Sequence, residues 1–361
     1  MSGMHQLPHA DVVHLADIAP RRTIFTLWER HRHRQAHWFI ECAAETMGVF
    51  FYVYFGVGAI AGFNIGGLTG QAINSLETVG FGFAFGIMLA LVVCSATSGG
   101  HFNPAMTITM VIFKGFPPIK AARYIVAQIL GAYLAALLVY AQYHQTIHTL
   151  QAELIAKGTF AAVNYTPQGL AGIFACYAPA GAHLGLAFLN EFVCDFMIGL
   201  VIWACIDPTN FLSPPAAAPW IISLTYAVCV WGFALNGIST NAARDLGTRF
   251  AVLTIWGSDA SGGAYAAIAA LTNIPATICG VLFYEFILLD SSRVITPIHV
   301  SHLNAHLSHQ EHCQHGTKPV RHDEETGKTH QSSYDDDSKA QIETFERTSK
   351  NGAQIQTIER A

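Results

Sequence analysis

Ser98-Gly99-Gly100-His101-Phe102-Asn103-Pro104-Ala105 in the first half and Asn241-Ala242-Ala243-Arg244-Asp245-Leu246-Gly247 in the second decide how this chain folds. Each places an Asn at the start of a short apolar helix, between segments hydrophobic enough to span a bilayer. Polar backbone at membrane depth is tolerated only where it is buried in protein or lines a cavity. Two such interruptions at matching places in two halves point to a central pathway.

Six flanking segments, 38–60, 79–97, 118–140, 187–206, 219–236 and 266–289, are long enough to cross a hydrocarbon core of roughly 30 Å. Trp38 and Trp220 mark interfacial ends. The stretches 104–113 and 242–253 are too short to cross and read as half-helices, and Pro275 in the last span is tolerable inside a bundle. Three spans per half is an odd number, so the second half starts from the opposite side of the membrane and the halves form an inverted repeat. The expectation is an all-α membrane protein of six transmembrane helices plus two re-entrant half-helices in a 3+3 arrangement. Its segments are a basic N-terminus (1–37), a channel domain (38–290) and a polar, disordered tail (291–361).

Composition agrees. Hydrophobic residues make up 52% of the 361 positions and charged residues 12%, about half the charge of a soluble domain. No signal peptide is expected, because the first 37 residues lack an apolar h-region. The cysteines stand singly; Cys42, Cys94, Cys194, Cys205 and Cys229 lie in or beside spans and read as small buried hydrophobes. No Ser/His/Asp arrangement or phosphate loop is visible, so no enzyme, cofactor, metal or nucleic-acid partner is expected.

Positive charge sets orientation. Arg21, Arg22, Arg30, Arg32 and Arg34 precede the first span, Lys114, Lys120 and Arg123 follow the first half-helix, and the 141–186 connection carries only Lys157. Both termini are therefore expected in the cytoplasm, with the sequon Asn164-Tyr165-Thr166 outside. The N-terminal Arg/His cluster could meet anionic lipid.

With this arrangement the chain resembles the major intrinsic protein family, the aquaporins and aquaglyceroporins, over roughly 38–290, and its long polar termini are similar to those of fungal members. The resemblance implies a homotetramer with one pore per subunit, passing water and small polyols. Asn103 and Asn241 stand where helix N-caps belong, with amide N–H groups to offer a solute. Pro104 presets the first turn, followed by Ala105. In the second motif Ala242, before Ala243, replaces the family's usual Pro; Ala is a good helix former, so the half-helix is expected to persist while pore width becomes uncertain. Two helix N-termini, each carrying roughly +0.5 charge, would meet near the midplane, an arrangement known to disfavour cations in such pores.

Glu45 and Glu191 open the two halves. Either they lie near the interface, or, the favoured reading, they accept hydrogen bonds from the non-helical loops, whose N–H groups need acceptors. The resemblance puts Arg244 at the outer constriction. Asp245 with Arg249, four residues apart and acid first, forms a supporting pair that resembles the aquaglyceroporin subgroup. Spacing from the motifs adds Phe83 and Ile238 to the filter, and Gly232 in the fifth span, with Trp231 or Cys229 as alternatives. That span has no histidine, unlike the water-selective filter. An apolar slot facing Arg244 favours glycerol besides water. A channel passing water or peroxide with little glycerol, or a non-conducting scaffold or sensor, are the alternatives. His101 belongs to the loop beside Asn103, either as a pore-lining group or as packing. Gly56, Gly58, Gly82 and Gly86 permit close helix contact. In the tail, His299, His302, His306, His309 and Cys313 would stripe one face of a helix, and Ser332-Ser333-Tyr334-Asp335-Asp336-Asp337 suits an acidophilic kinase. Plasma membrane is expected over vacuole.

Overall fold

The computed structural model describes residue 15 and residues 22–315, with residue 34 and residues 310–315 given by backbone alone. The kinase-type segment at 332–337 and the side chain of Cys313 lie outside the described residues. The described chain is helical: α1 (Thr23–His31), α2 (His37–Thr69), α3 (Leu76–Ser98), α4 (Pro104–Lys114), α5 (Pro118–Ala156), α6 (Leu184–Ile206), α7 (Ala218–Phe233), α8 (Ala242–Trp256), α9 (Tyr265–Leu288) and α10 (Pro297–His315). Six of these, α2, α3, α5, α6, α7 (continued to Asn236) and α9, are long and apolar enough to cross a membrane.

The two halves repeat one packing pattern. In the first, α2 packs on α3 and α5; in the second, α6 packs on α7 and α9. The halves interlock because each half-helix lies against a span of the other, α4 on α9 and α8 on α5. Small residues set these crossings, as expected where lipid supplies no hydrophobic drive between helices. A Cβ on Gly86 would sit 2.6 Å from the Tyr52 Cα, and one on Gly247 would sit 2.5 Å from the Ile129 carbonyl oxygen. Gly56 and Gly82 are likewise closely approached, but Gly58 faces open space and takes no part in close packing. The outer surface shows Phe81, Val92, Val126 and Leu186, a side-chain set suited to lipid or another apolar surface.

Two spans run further than expected. The α2 helix continues to Thr69 because Asn64, the polar residue that ended the apolar run, donates both amide hydrogens to the Pro167 and Gly169 carbonyls. The α5 helix continues to Ala156 because Ile147 and Leu150 remain buried beyond the expected end. Pro275 leaves its mark inside α9, whose regular helix is interrupted at Thr272. Asn164 of the sequon is fully buried, so its amide is closed to a glycan in this fold. The tail is corrected in part, since Pro297–His315 is a helix.

Candidate functional site

The site begins with two loops that must hold extended or left-handed backbone inside an apolar bundle. Residues 99–103 lead into α4 and 237–241 lead into α8. At the turn of each loop a non-glycine residue adopts positive φ, Phe102 at 49° and Thr240 at 59°. Such backbone persists only where its surroundings over-determine it.

A buried carboxylate does this in each half. Glu45 Oε1 accepts from the Ser98 hydroxyl (2.7 Å) and the His101 N–H (3.0 Å), while Oε2 accepts from the Phe102 N–H (2.8 Å) and the Gln128 amide (2.7 Å). Glu191 accepts from the Ser239 N–H (2.8 Å to Oε2) and the Thr240 N–H (2.6 Å to Oε1). Both glutamates thus occupy the loop-acceptor position rather than an interface.

Each loop then ends on its capping Asn. Asn103 Oδ1 accepts from the Ala105 N–H (3.0 Å), and Asn241 Oδ1 accepts from both Ala243 (2.9 Å) and Arg244 (3.1 Å). The side-chain amides cross between loops. Asn103 donates to the Thr240 carbonyl (3.2 Å), and Asn241 donates to the Phe102 carbonyl (2.8 Å). This exchange joins the two half-helix N-termini tip to tip and leaves each amide a second N–H. Pro104 stands at the first position of α4, and Ala242 at the same place still starts a regular helix.

A cavity of about 620 Å³ passes these tips. Its lining includes Phe83, Ile87 and Leu91 from α3, Ile222, Tyr226 and Val230 from α7, and His101, Asn103, Ile238, Asn241 and Arg244 from the two loops and α8. Arg244 is 5% exposed, and its guanidinium lies 5.7 Å from the centroid of the Phe83 ring. Phe83, Ile238 and Arg244 thus line one cavity.

Gly232 does not join them. Ile222, Tyr226 and Val230, four residues apart on α7, line the cavity, whereas Gly232 is not among its lining residues and is exposed with open space at its Cβ position. Trp231 and Cys229 also lie off the cavity lining: Trp231 packs on Gly80 and donates to the Glu77 carbonyl, and Cys229 is buried with Cys194. His101 lines the cavity while packing on Phe116 and Tyr124, its Nδ1 3.3 Å from the Thr107 hydroxyl.

Sequence reasoning missed Cys176. It lies in the loop between α5 and α6, lines the cavity, contacts Arg244 Nη1 through its Sγ and donates to the Ile238 carbonyl (3.3 Å). The Asp245–Arg249 pair holds this loop in place. It is buried and bidentate, and Arg249 also donates to the carbonyls of Cys176 (2.9 Å) and Ser261 (3.0 Å). No local signal marks a lone Cys in a long connection; only the tertiary fold brings it to Arg244.

Residues 32–259 match the family model "Major intrinsic protein". The chain belongs to the major intrinsic protein family. Among curated members it is 51% identical to "Aquaporin-3" of Laccaria bicolor over 84% of this chain and 93% of that one. It is 34% identical to the "Glycerol uptake facilitator protein" of Haemophilus influenzae over 60% of this chain and 80% of that one. The X-ray structure of the aquaglyceroporin from Plasmodium falciparum shares the fold, with a TM-score of 0.59 at 22% identity, covering 70% of this chain and 97% of that one. As a member of the major intrinsic protein family the chain is an integral, multi-pass membrane channel for water and small solutes, and not an enzyme.

Proposed function

We propose that the cavity is a passive conduit for water and small uncharged polyols, glycerol first among them, and that it excludes ions and protons. The observation that carries this is the lining of the cavity around Arg244. Phe83, Ile238 and Val230 offer an apolar wall to a carbon chain while Arg244, across from Phe83, offers N–H donors to hydroxyls. The α7 wall contributes Ile222, Tyr226 and Val230 and no imidazole, so the slot has room for carbon-bound hydrogens where a water-selective filter would be polar. The similarity to a protein named for glycerol uptake supports the same reading.

Ion exclusion follows from electrostatics. A cation entering the slot would lose its hydration to apolar side chains, at a cost of several kcal/mol. It would also meet Arg244 and two helix N-termini, each worth roughly half a positive charge. A polyol loses far less and regains hydrogen bonds at Arg244, Asn103 and Asn241. The face carrying both termini is cytoplasmic in this reading, the assembly is a homotetramer, and the membrane is the plasma membrane.

Stopped-flow light scattering on proteoliposomes tests the proposal. Wild-type protein should pass both water and glycerol, Phe83→Ala should raise the glycerol rate, and Arg244→Ala should alter the ratio of the two. Water flux without glycerol flux would favour the water- or peroxide-channel alternative, and no flux of either would overturn conduction altogether.

A further inference from the structure

The tail histidines find a place at the cavity. After α9 the chain reverses through a compact turn. Asp290 Oδ1 accepts from the Ser292 N–H (2.9 Å) and hydroxyl (2.7 Å), and Arg293 donates to the Leu288 carbonyl (2.9 Å). This turn sends α10 back across the face of the bundle from which α9 emerges. There His299 is buried, its Nε2 donating to the Ser213 carbonyl (3.1 Å) in the loop between α6 and α7, and its Nδ1 2.8 Å from the Thr296 hydroxyl. His299, His302 and Leu303 line the same cavity that holds Arg244 and Asn103. On this face the cavity is lined by α10 and by Pro208 and Pro215 of the loop that anchors it.

We propose that α10 is an autoinhibitory lid, and that the conformation described here is its docked state. The proposal rests on the reading of this cavity as the conduction path. Three features make the helix a lid rather than a fixed wall. It is joined to the bundle through a turn outside the spans, at 289–296, so it can swing without disturbing any of them. Its sequence is polar, and apart from Leu303 no residue of α10 that lines the cavity is aliphatic. It meets the bundle through one His299–Ser213 hydrogen bond to the α6–α7 loop and an edge-on contact of the His309 ring with His33 ahead of α2, and polar contacts of that size can exchange with water. Undocking removes His302 and Leu303 from the mouth and leaves the constriction at Arg244 untouched. The lid therefore changes the rate for every solute together, whereas the constriction changes their ratio.

The full-length chain in liposomes tests this with two kinds of variant. His299→Ala and Leu303→Asp should each raise water and glycerol permeability by at least about threefold with an unchanged ratio, since flux scales with the open fraction. Unchanged or lower rates in both, at equal protein content and with monodisperse elution in detergent, would overturn the lid. A locked form guards against simple misfolding. Ser213→Cys combined with His299→Cys should lose flux on oxidation and regain it on reduction, each single-cysteine variant being insensitive. A cross-link formed in high yield that leaves flux intact would likewise overturn the lid. If Arg244→Ala shifts the water-to-glycerol ratio while the lid variants do nothing, conduction through the cavity stands and the lid alone falls. If no form conducts, both fall.

Discussion

The two re-entrant loops solve one backbone problem with different side chains. Aligned on their capping asparagines, Phe102 corresponds to Thr240, Pro104 to Ala242 and Met106 to Arg244. Positive φ, a carboxylate acceptor and a crossed Asn amide occur in both, so these features hold the tips together. The differences fall where the halves do different work. Met106 and Arg244 both line the cavity, one apolar and one cationic, and Arg244 is the one Lys, Arg, Asp or Glu among the described residues that line it. Volume is exchanged too. The Phe102 ring fits because the residue one turn after Glu45 is Gly48, whereas the smaller Thr240 accompanies Cys194 one turn after Glu191.

The carboxylates offer the sharpest way to break this comparison. Glu45 accepts from two backbone N–H groups and two side chains, Glu191 from two backbone N–H groups. At about 1–3 kcal/mol for each buried donor left unpaired, Glu45→Ala should destabilise the detergent-solubilised protein more than Glu191→Ala. Thermal unfolding followed by thiol-reactive dye should show the larger fall for Glu45→Ala. Equal falls would mean that Ser98 and Gln128 find other acceptors.

Next in size is the volume exchange. A Cβ at Gly48 would lie 2.1 Å from the Phe102 ring, so Gly48→Ala should cost about 1–3 kcal/mol through overpacking. Copying the second half's pair into the first, Gly48→Cys with Phe102→Thr, should recover much of that loss in the same melting experiment. Failure of the pair to recover anything would show that the Phe102 ring is needed for more than filling space.

The smallest effect belongs to Ala242→Pro, which makes the two motifs alike. The first N–H of a helix lacks an intrahelical partner in any case, and Asn241 already caps the next two. The substitution should raise stability by up to about 1 kcal/mol by restricting the unfolded chain, with water flux unchanged. A fall in melting temperature would show that Ala242 holds a backbone conformation that Pro cannot adopt.

Legibility in the sequence divides along the same lines. The caps, the half-helices and the loop-acceptor glutamates could be read because each depends on local spacing or on a group too costly to leave unpaired at depth. Gly232 lies off the cavity because the face of α7 turned to it is fixed by packing, with Trp231 on Gly80 and Cys229 on Cys194. Two residues turn a helix by about 200°, enough to exchange cavity for outer surface. Cys176 left no local trace, since its position depends on Arg249 reaching a loop far along the chain. The tail helix was half legible: histidine spacing suggested a helical face, but its contact with the cavity comes from the turn at Asp290 and from Ser213. The burial of Asn164 left no trace either, being a tertiary property that a sequon does not encode.

The central claim is that the cavity bounded by Phe83, Val230, Ile238 and Arg244 is the conduction path. Stopped-flow glycerol permeability of Val230→Trp beside Gly232→Ala tests it most directly. With the path as described, Val230→Trp should cut glycerol flux at least about tenfold, a barrier increase of roughly 1.4 kcal/mol, while Gly232→Ala leaves it at the wild-type rate. Undiminished flux through Val230→Trp, or a loss confined to Gly232→Ala, would contradict the account and return the filter to the other face of α7.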